Sequence, residues 1–190
     1  MKKLIGLSLI CLTLVTACSK KDYTFNISNG QVGPLNKTVQ LKQIDSIFAS
    51  DSLVKLNPNQ ETLGTRGEVE VYEKGGAKLM LITPMDERDP NSRIQHIRIF
   101  DPRYQTDKGI GLESTFGELE QAYTIGTIQT TISSVVVFLQ DADLYITIDK
   151  QQLPENLRYD PSVKVEAVQI PDAATFKYLM VGWDHEDTTE

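Results

Sequence analysis

The two histidines are the first residues to consider, because histidine is the side chain that most readily exchanges protons near neutral pH. His96 lies in a run of alternating apolar residues, which favours a structural or surface histidine over a catalytic one. His185 stands in an acidic tail, beside Asp184, Glu186 and Asp187. These carboxylates suit a divalent cation chemically. A terminal tail holds ligands poorly in a fixed geometry, so the sequence favours a solvated tail here.

Two loops offer paired carboxylates. Asp141 and Asp143 flank one alanine at a turn. Calcium takes about six to eight oxygen ligands, and aspartate is common in turns for conformational reasons. The run Asp86-Glu87-Arg88-Asp89 indicates a solvated charged loop, and its alternative interpretation is a set of carboxylates that serves a hydrolase. We predict no metal site and no catalytic residue in either loop.

A short glycine-bearing turn precedes a predicted helix. Gly109 and Gly111 resemble the start of a phosphate-binding turn, but the dinucleotide pattern requires a third glycine where Ser114 stands. Glu113 would also repel phosphate. The sequence contains no Gly-x-Ser-x-Gly elbow, metalloprotease helix or P-loop. It therefore nominates neither a cofactor nor an enzymatic activity.

The first eighteen residues form a targeting segment. Lys2 and Lys3 give it a positive start, and Leu4–Val15 is an apolar run that is too short for the ~20 residues of a membrane-spanning helix. Val15-Thr16-Ala17-Cys18 resembles the bacterial lipobox, which implies cleavage before Cys18 and lipidation of its sulfur. The alternative is an ordinary secretory peptide that is cleaved near the same place. By analogy with enteric lipoproteins, Ser19 after the cysteine favours the outer membrane.

Cysteine content and charge exclude several classes. Cys11 leaves with the signal and Cys18 is consumed by lipid, so no disulfide or thiolate site is expected. The whole chain has 19 basic and 26 acidic residues. Without Lys2 and Lys3, 17 basic residues remain against 26 acidic ones, a net charge of −9. We therefore expect no nucleic-acid partner.

The first half of the mature chain reads as one helix and several strands. A strand is predicted at 23–27, and a helix at about 38–49, where Leu41, Ile44 and Phe48 share one face. Residues 51–66 read as a loop. Two alternating runs at 68–72 and 78–82 flank Gly75-Gly76, which predicts a hairpin whose turn requires positive φ at both glycines. A further strand is predicted at 94–100.

The second half repeats this plan. Thr115 and Glu118 form a capping box for a helix whose buried stripe is Phe116, Leu119 and Tyr123. Residues 151–161 read as a polar loop. The predicted strands of this half lie at 125–131, 134–139, 144–149, 163–170 and 176–183.

These elements predict an α+β fold of mainly antiparallel sheet with two short helices. In the alignment of the halves, the hairpin at Gly75-Gly76 matches the turn at 141–143, and residues 97–101 match 168–172. Two tandem helix-plus-meander repeats would explain this match, and a chance similarity of short strands is the alternative. The predicted segments are a signal at 1–17, a tether at 18–22, units at 23–108 and 109–184, and an acidic tail at 185–190.

The glycine turn, the capped helix, the valine-rich hairpin and the closing Ile170-Pro-Asp172…Gly182-Trp183 segment resemble uncharacterised outer-membrane lipoproteins of Gram-negative bacteria. The helix-then-meander unit is also similar in topology to small barrel-assembly lipoproteins and to tandem β-lactamase-inhibitor-like domains. The resemblance implies a lipid-anchored envelope protein. We expect a non-catalytic module that binds a protein, peptide or glycan through an exposed patch including Tyr145, Tyr178 or Trp183, with an envelope hydrolase as the alternative.

Overall fold

The structure is a computed structural model that describes residues 23–56, 67–159 and 163–183. The predicted signal, the lipidation site Cys18 and the tail with His185 lie outside the described residues. Within the described ranges, no helix is both long and apolar enough to cross a bilayer.

The described chain is mainly antiparallel sheet with short helices, so the predicted α+β class is confirmed. The strands are β1 (Asn26–Ser28), β2 (Gln31–Val32), β3 (Leu35–Asn36), β4 (Ser52–Lys55), β5 (Val69–Tyr72), β6 (Lys78–Pro84), β7 (Ile94–Ile99), β8 (Gln105–Thr106), β9 (Ile125–Thr130), β10 (Ser134–Leu139), β11 (Leu144–Asp149) and β12 (Tyr178–Gly182). The α-helices are α1 (Ile44–Ile47), α2 (Phe116–Ala122) and α3 (Glu155–Arg158). Short 3-10 helices are Tyr23–Phe25, Leu41–Gln43, Lys150–Gln152 and Ala167–Gln169.

An eight-stranded sheet dominates the fold, with strand order β4-β5-β6-β7-β12-β11-β10-β9. Each half of the chain supplies one four-stranded meander, and the last strands of the two meanders pair antiparallel. Helix α1 precedes the first meander and α2 precedes the second. This is the helix-plus-meander arrangement that the sequence suggested. The division of the chain at residues 108 and 109 stays a prediction.

One face of this sheet is buried. Alternate residues of the central strands lie in the core, for example Ile97, Ile146 and Val181. The small sheet β3-β2-β1-β8 and the helices add Leu35, Phe116 and other apolar side chains to the same core. Burial of this apolar surface is the main stabilising contribution. The opposite face of the sheet carries partly exposed side chains, and we refer to it as the open face.

Helix α2 forms as predicted. Thr115 Oγ1 accepts a hydrogen bond from the Glu118 N–H at 3.4 Å, and the Glu118 carboxylate accepts one from the Thr115 N–H at 2.8 Å. Phe116 and Leu119 are fully buried. The predicted capping box is confirmed, and so are two residues of the buried stripe, because these depend on residues three or four apart in one helix. Tyr123 is the extended C-cap residue and is only partly buried.

The first predicted helix is shorter than the sequence suggested. Helical residues run only from Leu41 to Ile47, first as a 3-10 turn and then as α1. Gln40 is extended and forms an isolated β-bridge with Arg93, and residues 37 and 38 form a turn. Tertiary pairing therefore replaces the first predicted turn of helix.

The hairpin β5–β6 is confirmed, but its turn differs from the prediction. Gly75 has φ 72°, whereas Gly76 has no positive φ. The Glu73 N–H donates to Ala77 O at 3.0 Å and the Gly76 N–H donates to Glu73 O at 2.8 Å. This longer turn requires one left-handed residue rather than two.

The strand predicted at 163–170 is wrong. Residues Ala167–Gln169 form a 3-10 helix, and Val168 is 86% exposed. The Glu166 N–H donates to the Gln169 side chain at 2.9 Å, so the segment satisfies its backbone locally. The counterpart of β7 in the strand order is therefore β12, and not residues 168–172.

Three smaller predictions also need correction. The predicted loop at 51–66 contains β4, and the loop at 151–161 contains α3. The first predicted strand begins as the 3-10 helix Tyr23–Phe25. Each of these elements spans only three or four residues, which is too short to show a clear hydrophobic period.

Candidate functional site

The turn at Asp141 and Asp143 fastens the small sheet to the large one. The Asp143 carboxylate accepts hydrogen bonds from the Gly30 N–H at 2.7 Å and from Lys37 Nζ at 3.0 Å. The Asn29 side chain donates to Asp141 O at 2.9 Å. The carboxylate oxygens of Asp143 are thus engaged in joining two parts of the fold, which gives this turn a structural role.

The charged loop at 86–89 uses its aspartates to shape its own turns. Asp86 Oδ1 accepts from the Arg88 N–H at 2.9 Å, and Asp89 Oδ1 accepts from the Asn91 N–H at 2.8 Å. A cleft of about 820 Å³ adjoins this loop, but Leu56 and Gly67, which line it, flank residues outside the described ranges. The loop offers no set of converging carboxylates on which to build a catalytic argument.

The glycine-bearing turn is filled by its own chain. Gly109 has φ 79°, and the Gly111 N–H donates to Ser114 Oγ at 3.2 Å. A Cβ at Gly111 would lie only 2.9 Å from Tyr104 O, so this glycine permits close packing of two chain segments. The structure therefore explains Gly111 by packing rather than by phosphate binding.

The open face brings His96 together with aromatic residues of the second meander. The Tyr145 hydroxyl lies 3.1 Å from His96 Nδ1, and the Tyr145 ring stacks on Phe138 at a centroid distance of 5.1 Å. A Cβ at Gly182 would lie 3.0 Å from the Tyr145 ring, so Gly182 leaves room for this pair. His96 is thus part of an aromatic surface cluster.

The structure places two of the three aromatic residues predicted for an exposed patch at partly exposed positions. Tyr145 and Tyr178 are partly exposed on the open face. Trp183 is 1% exposed and belongs to the core. Side chains alternate between the two faces of a strand, and Trp183 continues the buried positions Leu179 and Val181. Its predicted exposure is therefore wrong.

A continuous row of side chains crosses six strands of the open face. The register places them directly opposite one another from β5 to β10, in the order Glu70, Leu81, Arg98, Met180, Tyr145 and Phe138. Each of them is partly exposed. The strands come from both meanders, so this surface exists only when the two meanders pair.

Arg98 and Lys78 both contact aromatic rings of the open face. The Arg98 guanidinium carbon lies 3.6 Å from the Tyr178 ring centroid and 4.6 Å from that of Phe100. Lys78 Nζ lies 4.2 Å from the Phe100 centroid and also bonds the Glu70 carboxylate. Cation–π contacts of this kind fix the position of a guanidinium without using its N–H groups.

Lys78 and Arg98 differ in whether an acidic side chain neutralises them. Glu70 neutralises Lys78, and the Lys78 hydrogen bond holds the pKa of Glu70 below its usual value. The Tyr72 hydroxyl donates to the same carboxylate at 2.7 Å, which raises the pKa of Tyr72. Among the described residues, Arg98 forms neither a salt bridge nor a hydrogen bond through its side chain. It is a positioned cation whose N–H donors are available.

A groove of about 480 Å³ lies at the β9 side of the open face. Its described lining combines the aromatic cluster with the neutral hydrogen-bonding side chains of Thr127, Gln129 and Gln140. Asp143 also lines the groove, and its carboxylate is paired with Lys37. His96 and Tyr145 also line it. The open face therefore joins a cation, aromatic rings and neutral polar groups on one surface. Arg98 could not be identified from the sequence, because its neighbours Tyr178 and Met180 come from a strand about eighty residues away in the chain.

The fold is similar to that of a bacterial protein of known structure. The uncharacterized protein YfeY from Escherichia coli matches with a TM-score of 0.50 and 15% sequence identity, over 83% of this chain and 99% of that chain. At this identity the likeness shows the fold alone. No family model matches the sequence, and no curated protein matches it.

Proposed function

We propose that the protein is a lipid-anchored component of the bacterial cell envelope that acts as a non-catalytic binding or assembly module. The anchor is the lipidated Cys18, and the binding surface is the open face. The lipobox at residues 15–18 and the apolar run before it support the lipid anchor. Ser19 favours the outer membrane.

The observation that carries the binding role is Arg98, whose guanidinium has no acidic partner in the described part of the chain. A half-buried guanidinium without a carboxylate loses part of its hydration and gains no ion pair in return. The rings of Tyr178 and Phe100 compensate only in part, and they leave the N–H edge available. In a chain of net charge −7, such a cation is well placed for an external ligand.

The hydrolase alternative stays a prediction without a geometric argument in its favour. It depends on carboxylates that converge on a pocket, as hydrolytic acid–base pairs do. Asp86 and Asp89 instead accept hydrogen bonds from backbone amides of their own loop. We therefore favour the binding role.

Site-directed photo-crosslinking in living cells tests the binding role. A photoreactive residue replaces either Gln129 or Leu81, both on the open face, or Val168, which is 86% exposed on the 3-10 helix Ala167–Gln169 and belongs to no strand of the sheet. We expect adducts of shifted mobility from the first two positions and only background from Val168. Equal background at all three positions would contradict the proposal.

A further inference from the structure

The chemistry of the open face restricts the kind of ligand that it suits. Inside a sheet, the backbone N–H and C=O groups are engaged in the ladder between strands. Extended peptides are commonly bound through backbone hydrogen bonds at a free sheet edge. The row from Arg98 to Phe138 lies on four interior strands, from β7 to β10, and offers side chains only. The edge strand β9 adds the side chains of Thr127 and Gln129 to the groove on the same face. A ligand that supplies its own hydroxyl groups suits this surface better than a peptide backbone does.

The available side chains have two kinds of chemistry. Arg98 presents a planar fork of donors that matches a carboxylate in bidentate geometry. The groove beyond Met180 presents the amides of Gln129 and Gln140 and the hydroxyl of Thr127, next to the rings of Tyr145 and Phe138. Amides and hydroxyls both donate and accept, as the hydroxyl groups of a sugar do. The distance across the four strands is roughly 14 Å at the usual strand spacing, which suits a short oligosaccharide.

We propose that the open face binds an acidic saccharide, that is, a chain of sugar rings in which at least one ring carries a carboxylate. The carboxylate pairs with Arg98, and neighbouring rings occupy the groove between Tyr145 and Gln129. Charge complementarity selects the acidic form, because Arg98 has no acidic partner among the described residues. This inference rests on the proposed binding function and names its ligand class.

Binding of defined probes to the purified full chain in mild detergent tests the proposal. The probes are trigalacturonate, its neutral counterpart galactotriose, and a hexaglutamate peptide, each measured by titration calorimetry at low and high salt. The variants are Arg98→Met, which removes the charge, and Arg98→Lys, which keeps the charge but loses the fork. Arg88→Met is the matched control, because it removes one exposed arginine from the 86–89 loop.

We expect trigalacturonate to bind about tenfold or more tightly than galactotriose, as a charge-assisted hydrogen-bonded pair implies. Arg98→Met should remove this preference, Arg98→Lys should reduce it, and Arg88→Met should leave it unchanged. If Arg98→Met fails to fold, the comparison of the acidic and neutral sugars and its salt dependence on the unaltered chain decide the question.

Several results would overturn the saccharide assignment. They are no binding of trigalacturonate, equal binding of galactotriose, an affinity that Arg98→Met in a folded protein does not change, or tighter binding of hexaglutamate. Tighter binding of the peptide would identify an acidic peptide as the ligand class. None of these results removes the photo-crosslinks expected from Gln129 and Leu81, so failure of this inference is distinguishable from failure of the proposed function.

Discussion

Ile97 of β7 lies directly opposite Val181 of β12, and the two side chains are 0% and 1% exposed. This pair stands at the junction of the two meanders. Neither meander can bury this edge of its sheet alone, because the last strand of each is covered by the last strand of the other. The junction therefore couples the stability of the two halves.

Ile97→Ala tests this coupling. Truncation of a fully buried isoleucine typically costs about 2–5 kcal/mol of unfolding free energy. We expect one cooperative transition that shifts as a whole, with the fluorescence of Trp183 and the far-ultraviolet circular dichroism changing together. Two separate transitions would show that the meanders fold independently. Val168→Ala, at an exposed position, is the control.

Phe116→Ala and Thr115→Ala measure separately how much core packing and helix capping of α2 contribute to the unfolding free energy. Phe116 is fully buried, so its truncation should lower the unfolding free energy by about 3–5 kcal/mol. Loss of the Thr115 cap should cost only about 1 kcal/mol. Urea unfolding measures both values. A cost for Thr115→Ala equal to that for Phe116→Ala would contradict the assignment of packing as the larger contribution.

Asp101 should make the protein sensitive to acid. Its carboxylate is nearly buried and accepts hydrogen bonds from Arg103 Nε at 2.9 Å and Nη2 at 2.7 Å, which lower the pKa of Asp101. A carboxyl group with a lowered folded-state pKa stabilises the fold above its unfolded-state pKa of about 3.9. That contribution is lost as pH falls through the folded-state value.

We therefore expect Asp101→Asn to lower the unfolding free energy at pH 7 by roughly 1–3 kcal/mol. The variant should also lose less stability than the unaltered protein when the pH falls below about 4. Urea unfolding at neutral and acidic pH measures both effects. Asp107→Asn, at an exposed position, is the control. If Asp101→Asn lowered the unfolding free energy by the same amount at both pH values, a lowered folded-state pKa of Asp101 would be contradicted.

Lys150→Met should stabilise the protein. Lys150 is 2% exposed, and among the described residues its amino group has no hydrogen-bond partner. An unsatisfied buried polar group costs about 1–3 kcal/mol, and methionine fills a similar volume without that cost. Thermal unfolding measures the change, with the exposed Lys164→Met as control. Loss of stability in Lys150→Met would show that the amino group makes a favourable interaction.

Metabolic labelling with palmitate tests the lipid anchor. The lipobox predicts that the protein is labelled in bacterial cells and that Cys18→Ser abolishes the label. Cys11→Ser is the matched control, because Cys11 lies within the predicted signal. A labelled Cys18→Ser protein would contradict lipidation at this residue.

The parts of the fold that depend on near neighbours could be predicted from the sequence. The limits of β10 and β11 agree with the predicted strands at 134–139 and 144–149, because both runs are strongly apolar and a short turn separates them. The capping of α2 depends on Thr115 and Glu118, which are three residues apart. Local patterns of this kind predict an element without knowledge of its tertiary contacts.

The parts of the fold that could not be predicted depend on contacts between segments far apart in the sequence. The alternating residues at 163–170 resemble a strand, but they pair with no strand among the described residues, and Val168 is exposed. Arg98 meets Tyr178 only because β7 pairs with β12. Since pairing between strands far apart in sequence cannot be deduced from either strand alone, the open face could not be predicted.

Oxidative footprinting in intact cells tests most directly whether the open face is occupied in the envelope. Methionine oxidises according to its exposure, so the native methionines report on the accessibility of their surroundings. Met180 lies on the open face, Met85 is 43% exposed outside it, and Met80 is fully buried. We predict that the oxidation of Met180 relative to Met85 is lower in intact cells than in the purified protein, while Met80 stays unreactive in both. An equal ratio in cells and in purified protein would contradict a binding role for this surface.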